Sequence, residues 1–98
     1  MKKRMMIIKE NTFANCLKLE SVMIPNEDVR VSIETSAFEN CSSLKSLEFE
    51  DRITKISHNA FKNCVSLEFK FSNDIETIGY SAFENVNLLK NIILGDKL

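Results

Sequence analysis

The chain has 98 residues, 13 basic and 14 acidic side chains, a formal charge of -1, 44% hydrophobic and 28% charged residues, which suits one globular domain over residues 1–98 and excludes a disordered chain. That balance lacks the basic footprint of a nucleic-acid binder and any cationic face for anionic lipid, so neither partner is expected. Two Gly and one Pro leave little for phosphate-cradling loops or an interdomain linker.

From the amino terminus, Met1-Lys2-Lys3-Arg4 precedes an apolar run of four residues, Met5 to Ile8, where a secretory signal takes about 7–15. No secretory signal is expected in the chain as given, and no run approaches the ~18 apolar residues of a membrane helix, so membrane insertion is not expected either. Asn11-Thr12-Phe13-Ala14-Asn15-Cys16 opens on a favoured N-cap residue and predicts a short helical turn. Leu19-Glu20-Ser21-Val22-Met23-Ile24 then alternates as a half-buried strand does. After the loop from Pro25 to Arg30 the same order returns, with a turn at Ser36-Ala37-Phe38-Glu39-Asn40-Cys41 and a strand at Leu44-Lys45-Ser46-Leu47-Glu48-Phe49. The third turn is Asn59-Ala60-Phe61-Lys62-Asn63-Cys64, followed by a strand carrying Phe69 and Phe71; the fourth is Ser81-Ala82-Phe83-Glu84-Asn85-Val86, followed by Ile92 and Leu94. The pairs Ser36/Glu39 and Ser81/Glu84 read as capping boxes.

The chain is thus a fourfold repeat over residues 5–28, 29–52, 53–74 and 75–97, and Leu98 falls where a fifth copy would open. Leucine follows each Phe by six positions (Leu19, Leu44, Leu67, Leu89) and isoleucine precedes each by five (Ile8, Ile33, Ile56, Ile78). The first-isoleucine column reads Met5, Arg30, Ile53, Ile75. Two irregularities sit outside the Phe-to-Leu segment: the loop from Pro25 is two residues longer than its counterparts, and the third copy lacks one residue after Leu67. A unit this short cannot bury its apolar face alone, so the copies must stack. The predicted fold is an α/β repeat solenoid, a stack of four coils, each a short helical turn plus a strand in a parallel sheet. Stacking makes Phe13, Phe38, Phe61 and Phe83 an internal aromatic spine and sets Glu20, Lys45, Glu68 and Lys90 side by side with alternating charge.

The composite I-x-x-I-x-x-x-A-F-x-N-C-x-x-L-x-x-L-x-F, running from Met5 to Leu94, resembles the BspA-like class of leucine-rich repeats. The likeness is most complete from Ile75 through Gly79, Ala82 and Phe83 to Asn85, whereas Lys9, Glu34 and Ser57 stand in the Gly79 column, Pro25 alone keeps the proline after the strand, and Arg30 replaces an isoleucine. The resemblance implies a binding or adhesive role without catalysis. A segment of a cell-surface adhesin is the alternative it favours. A cytoplasmic location is expected for the chain as given, an extracellular one if it is part of a larger family member.

Cys16, Cys41 and Cys64 share one column with Val86, so they read as buried packing thiols in a reducing compartment rather than nucleophiles or metal ligands. His58 has no partner base or nucleophile at useful spacing and reads as a surface loop residue. The carboxylate pairs Glu27/Asp28 and Glu50/Asp51 read as solvated turns, and the column Asn15, Asn40, Asn63, Asn85 as amides that satisfy backbone groups. Asn40-Cys41-Ser42 has the spacing of a glycosylation acceptor, but its buried middle residue argues against occupancy. No cofactor, no metal and no enzyme activity are expected. What remains is the outward strand face, where Met23, Ser46, Glu48, Glu68, Lys70, Asn91 and Ile93 are the expected contacts to a protein partner. Four strands about 4.8 Å apart present roughly 300–400 Å², less than the roughly 800 Å² per partner of a standard interface, so the loops must contribute. Uncapped ends also predict self-association. Phe83, Val86, Leu89, Ile92 and Leu94 are expected to face solvent at one end, and Lys2-Lys3-Arg4 at the other favours a closed dimer of like ends.

Overall fold

The computed structural model describes residues 4–90. Each coil carries two strands: β1 (Arg4–Ile8) and β2 (Ser21–Val22) in the first, β3 (Val29–Ile33) and β4 (Ser46–Leu47) in the second, β5 (Ile53–Ile56) and β6 (Glu68–Lys70) in the third, β7 (Thr77–Ile78) and β8 (Leu88–Lys90) in the fourth. A 3-10 turn, Glu50–Arg52, links the second coil to the third. Strands β1, β3, β5 and β7 form one parallel sheet in that order, and on the other side of the coils β2 pairs with β4 and β6 with β8, again in parallel. The molecule is a repeat solenoid with parallel sheets.

Its interior is the set of columns that the repeat places in register. Ile33, Phe38, Cys41, Leu44, Phe61, Cys64 and Leu67 are fully buried, and Phe49 and Phe69 fill the space between the sheets. The Phe column stacks nearly face to face, with ring centroids 5.1 Å apart for Phe13 and Phe38, 5.3 Å for Phe38 and Phe61, and 5.5 Å for Phe61 and Phe83. The two end rings are only half-buried, each having a neighbouring coil on one side among the described residues.

The helical turn is corrected. No α-helix occurs among the described residues; each Phe segment is a run of tight turns, as in the second coil, where Ala37 N–H donates to Glu34, Glu39 to Ser36, Cys41 to Phe38 and Leu44 to Cys41. The residues expected to be N-caps, Asn11, Ser36, Asn59 and Ser81, have φ of 61, 59, 59 and 58°, and Asn15, Asn40, Asn63 and Asn85 have φ of 64, 65, 65 and 64°. A left-handed residue at every fourth position ends a helix before it forms, whereas it suits the third position of a four-residue turn. The expected capping boxes are likewise backbone contacts, with Glu39 N–H bonded to the Ser36 carbonyl at 3.2 Å and Glu84 N–H to Ser81 at 3.3 Å. Alternate N–H groups point along the stack instead: Phe13 donates to Ala37, Phe38 to Ala60 and Phe61 to Ala82, each at 2.8 Å.

Two registers also differ from expectation, between β3 and β5 and between β6 and β8, whereas Met5 pairs with Arg30 as expected. Val31 pairs with both Met6 and Ile53, and the register shifts between Val31 and Ser32. The first-isoleucine column is therefore Met6, Val31, Ile53; Arg30 replaces nothing apolar and instead points to Asp74, 3.3 Å away. In the fourth coil Lys70 pairs with Lys90 and Glu68 with Leu88, so the last rung of the expected charge column is displaced, because the turn that joins Cys64 to Leu67 has no counterpart after Val86 among the described residues. Val86, expected in solvent, is buried at 7% exposure; the expectations for Ile92 and Leu94 fall outside the described residues.

Candidate interaction surface

The strand face of β2, β4 and β6 is where the sequence places the candidate contacts. Met23 follows β2 and is 68% exposed, while Ile24 beside it turns inward. The Glu48 N–H donates to the Val22 carbonyl at 3.0 Å, extending the β2–β4 register so that the exposed Glu48 lies beside Met23. Lys70, at the end of β6, is also exposed, and its backbone N–H is held by Glu50 Oε2 at 3.0 Å. Ser46 is half-buried opposite Ser21. Glu68 is exposed and bonds through its N–H to the Lys45 carbonyl at 3.0 Å. Asn91 and Ile93 lie outside the described residues.

Two adjoining grooves bring three of these residues together. One, of about 510 Å³, runs from Met23 and Glu48 to the loop residues Glu27, Arg30, Asp51 and Arg52. The other, of about 430 Å³, runs from Glu48 and Asp51 to Lys70, Phe71 and Ser72. Glu48 and Asp51 form the ridge shared by both, and Ser46 and Glu68 line neither. The loop contributions of Glu27, Arg30 and Asp51 were not visible in the strand pattern, because alternation reports on strands and says nothing about which way a connecting loop folds; the extra length after Pro25 was the one available signal.

Electrostatics within the grooves follow from how the arginines are used. Arg52 is 6% exposed; its guanidinium donates to the carbonyl of Ile24 at 2.6 Å and to that of Asn26, and its Nε lies 4.0 Å from Asp51. It thus pins the long loop of the first coil onto the second, and its charge is partly spent on backbone dipoles. Arg30 pairs with Asp74 at 3.3 Å, both partly buried. Glu27, Glu48 and Asp51 remain exposed, so the solvent-facing wall of the first groove is acidic, while the exposed Lys70 adds a cation to the second. Burial raises the Glu50 carboxyl above its usual range, and the Lys70 N–H partly offsets this.

Chemistry elsewhere is structural. Cys41 and Cys64 are buried, each Sγ 3.0 Å from the carbonyl of the preceding coil's Phe, Phe13 and Phe38 respectively. Burial raises the Cys41 thiol and pushes Cys64 up to about 12, so both stay protonated and non-nucleophilic at neutral pH. Cys16, expected to be buried with them, is only partly so, in the first of the described coils. The Asn column does not bond to backbone as expected: Asn40 Nδ2 donates to Asn15 Oδ1 at 2.8 Å, Asn63 to Asn40 at 2.7 Å and Asn85 to Asn63 at 2.7 Å, a continuous amide ladder. His58 is exposed but engaged, stacked on Tyr80 at 3.8 Å with its Nδ1 accepting the Tyr80 N–H at 3.0 Å. Among the described residues no group of three His, Cys, Asp or Glu is placed to hold a metal ion, and no helix is long and apolar enough to cross a membrane.

Stacked coils of about 23 residues, parallel sheets and an aligned Phe, Cys and Leu interior define a leucine-rich-repeat type of solenoid. Residues 6–98 match the model of the BspA type leucine rich repeat region (6 copies), and the chain belongs to that family. Neither the curated proteins nor the solved structures contain a match.

Proposed function

We propose that the protein is a non-catalytic binding module that docks a protein partner on the outward face of β2, β4 and β6 and in the two grooves beside it. The observation that carries this reading is the alignment of the exposed Met23 with Glu48 and Lys70 along adjoining grooves. Met23 supplies an apolar anchor, and the grooves enlarge a strand face that is too small by itself for a standard interface. With Arg52 turned to carbonyls and Arg30 to Asp74, the exposed acids Glu27, Glu48 and Asp51 favour a partner segment that is apolar and basic. Membership of a repeat family that generally works without catalysis fits the same reading.

A displayed random-peptide library panned on the intact protein supplies ligands, and the double charge swap Glu48→Lys with Lys70→Glu tests the face. Basic, apolar sequences should be enriched, and their Kd should rise at least about tenfold in the swap. The melting temperature should hold within a degree or two, since both side chains are exposed. Ligands whose affinity ignores the swap place the binding face elsewhere.

A further inference from the structure

On the side of the coils that carries β2, β4, β6 and β8 the sheet is interrupted. β2 pairs with β4 and β6 with β8, but β4 and β6 do not pair. One backbone bond opens a ladder between them, from the Glu68 N–H to the Lys45 carbonyl at 3.0 Å. The next N–H along that edge of β6 belongs to Lys70, two residues on, and it is taken at 3.0 Å by a side chain, Glu50 Oε2, where a paired strand would offer a carbonyl. Past this point the two segments part. The groove of about 430 Å³ opens between Leu47, Glu48 and Asp51 of the second coil and Lys70 and Phe71 of the third.

Glu50 is a costly partner for that N–H. Burial raises its carboxyl above the usual range, the Lys70 N–H offsets this in part, and the charges of Glu48 and Glu68 raise it further, so the ionised form is held there against its environment. A neutral backbone carbonyl makes the same bond without the charge. The groove beside it also has the chemistry of a strand site. Leu47 and the half-buried Phe71, whose ring stacks on Phe69 at 5.1 Å, supply apolar surface, while the exposed Glu48 and Asp51 form a rim that stays net acidic with Lys70 included. Successive side chains of an extended segment point to opposite faces. One that alternates apolar and basic residues therefore sets the first kind against Leu47 and Phe71 and the second against Glu48 and Asp51.

We propose that the segment bound on the candidate face is an extended peptide of alternating apolar and basic residues, which adds to β6 at this break and takes the Lys70 N–H from Glu50. The inference rests on the proposed binding face and specifies what that face holds. Main-chain bonds to the edge of β6 supply affinity, and the alternating side chains supply selectivity. Glu50, released from Lys70, offers its carboxylate to a basic side chain of the peptide.

The test takes the intact protein and the peptides selected on it whose Kd rises in the Glu48→Lys, Lys70→Glu swap. Their sequences should alternate apolar and basic residues. N-methylation of one peptide amide at a time should raise Kd at least about tenfold at every second position and less than about twofold at those between, because alternate amides of a strand face the paired edge. NMR of the protein amides gives a second reading. In the free protein the Lys70 amide proton should shift as Glu50 titrates, through the bond that joins them; with peptide bound it should not, its partner then being a peptide carbonyl. Swap-sensitive peptides whose response to N-methylation lacks the two-residue period, or that leave the Lys70 amide following Glu50, overturn the added strand while the binding face stands. A panning that yields no swap-sensitive peptide overturns both.

Discussion

Asparagine carries two loads in each coil. Asn63 holds a left-handed backbone at φ 65° and joins two neighbours through its amide, donating to Asn40 and accepting from Asn85, each at 2.7 Å. The two loads can be separated by substitution. Asn63→Gly keeps the backbone conformation and loses the amide; Asn63→Ala loses both, and a left-handed residue with a Cβ costs roughly 1–2 kcal/mol. Denaturant unfolding should therefore rank the alanine variant about 1 kcal/mol below the glycine variant, both below the parent; equal stabilities would show that the backbone conformation at Asn63 carries no cost. The Asn, Ser and Phe columns were plain in the sequence, but their conformation was not. Short polar side chains suit both an N-cap and a left-handed turn position, so residue type alone left the wrong choice open.

At the scale of elements, alternation found the strands of the candidate face and missed the sheet that holds the stack. Leu44 to Phe49 and Leu67 to Phe71 alternate, yet β4 and β6 do not pair: the residue absent after Leu67 puts the buried Phe69 two positions after Leu67 where the buried Leu47 comes three after Leu44, so a ladder continued from Lys45 and Glu68 would set an inward side chain beside an outward one. The continuous sheet comes instead from segments whose apolar spacing changes along the chain. Coils one and two turn residues two apart toward the core side, Met6 with Ile8 and Val31 with Ile33, whereas coil three buries residues three apart, Ile53 and Ile56. The bulge between β3 and β5 reconciles the two spacings; Val29, Val31 and Ile33 alternate as a strand does, but the three-residue spacing of Ile53 and Ile56 breaks that pattern in the next coil. Gly79 shows why one position in this layer admits no side chain. A Cβ there would lie 2.5 Å from both the backbone N and the Nδ1 of His58 and 2.8 Å from the Ser57 carbonyl carbon. Gly79→Ala should cost about 1–3 kcal/mol as an overpacking change. Adding His58→Ala should not restore the loss, since the backbone N remains in place; full recovery of the melting temperature in the double variant would mean that only the imidazole was in the way.

For the whole molecule, stability lies between coils rather than within them. Phe61 is fully buried, stacked on Phe38 at 5.3 Å and Phe83 at 5.5 Å and touching Phe69 edge-on at 5.5 Å. Phe61→Ala should destabilise by about 3–5 kcal/mol, a large part of the roughly 5–15 kcal/mol that holds a domain of this size. A thermal melt within a degree or two of the parent would rule out the aromatic stack as the core. Phe13→Ala, at the half-buried end of the same stack, should cost less.

Amide hydrogen exchange reads most directly whether neighbouring coils hold the Phe turns. The N–H groups of Phe38, Asn40, Phe61 and Asn63 donate across to Ala60, Lys62, Ala82 and Glu84, each at 2.8 Å, and should exchange as slowly as those of the continuous sheet formed by β1, β3, β5 and β7. Exchange at these four amides as fast as at the exposed loop residue Glu27 would contradict a solenoid tied together through its turns.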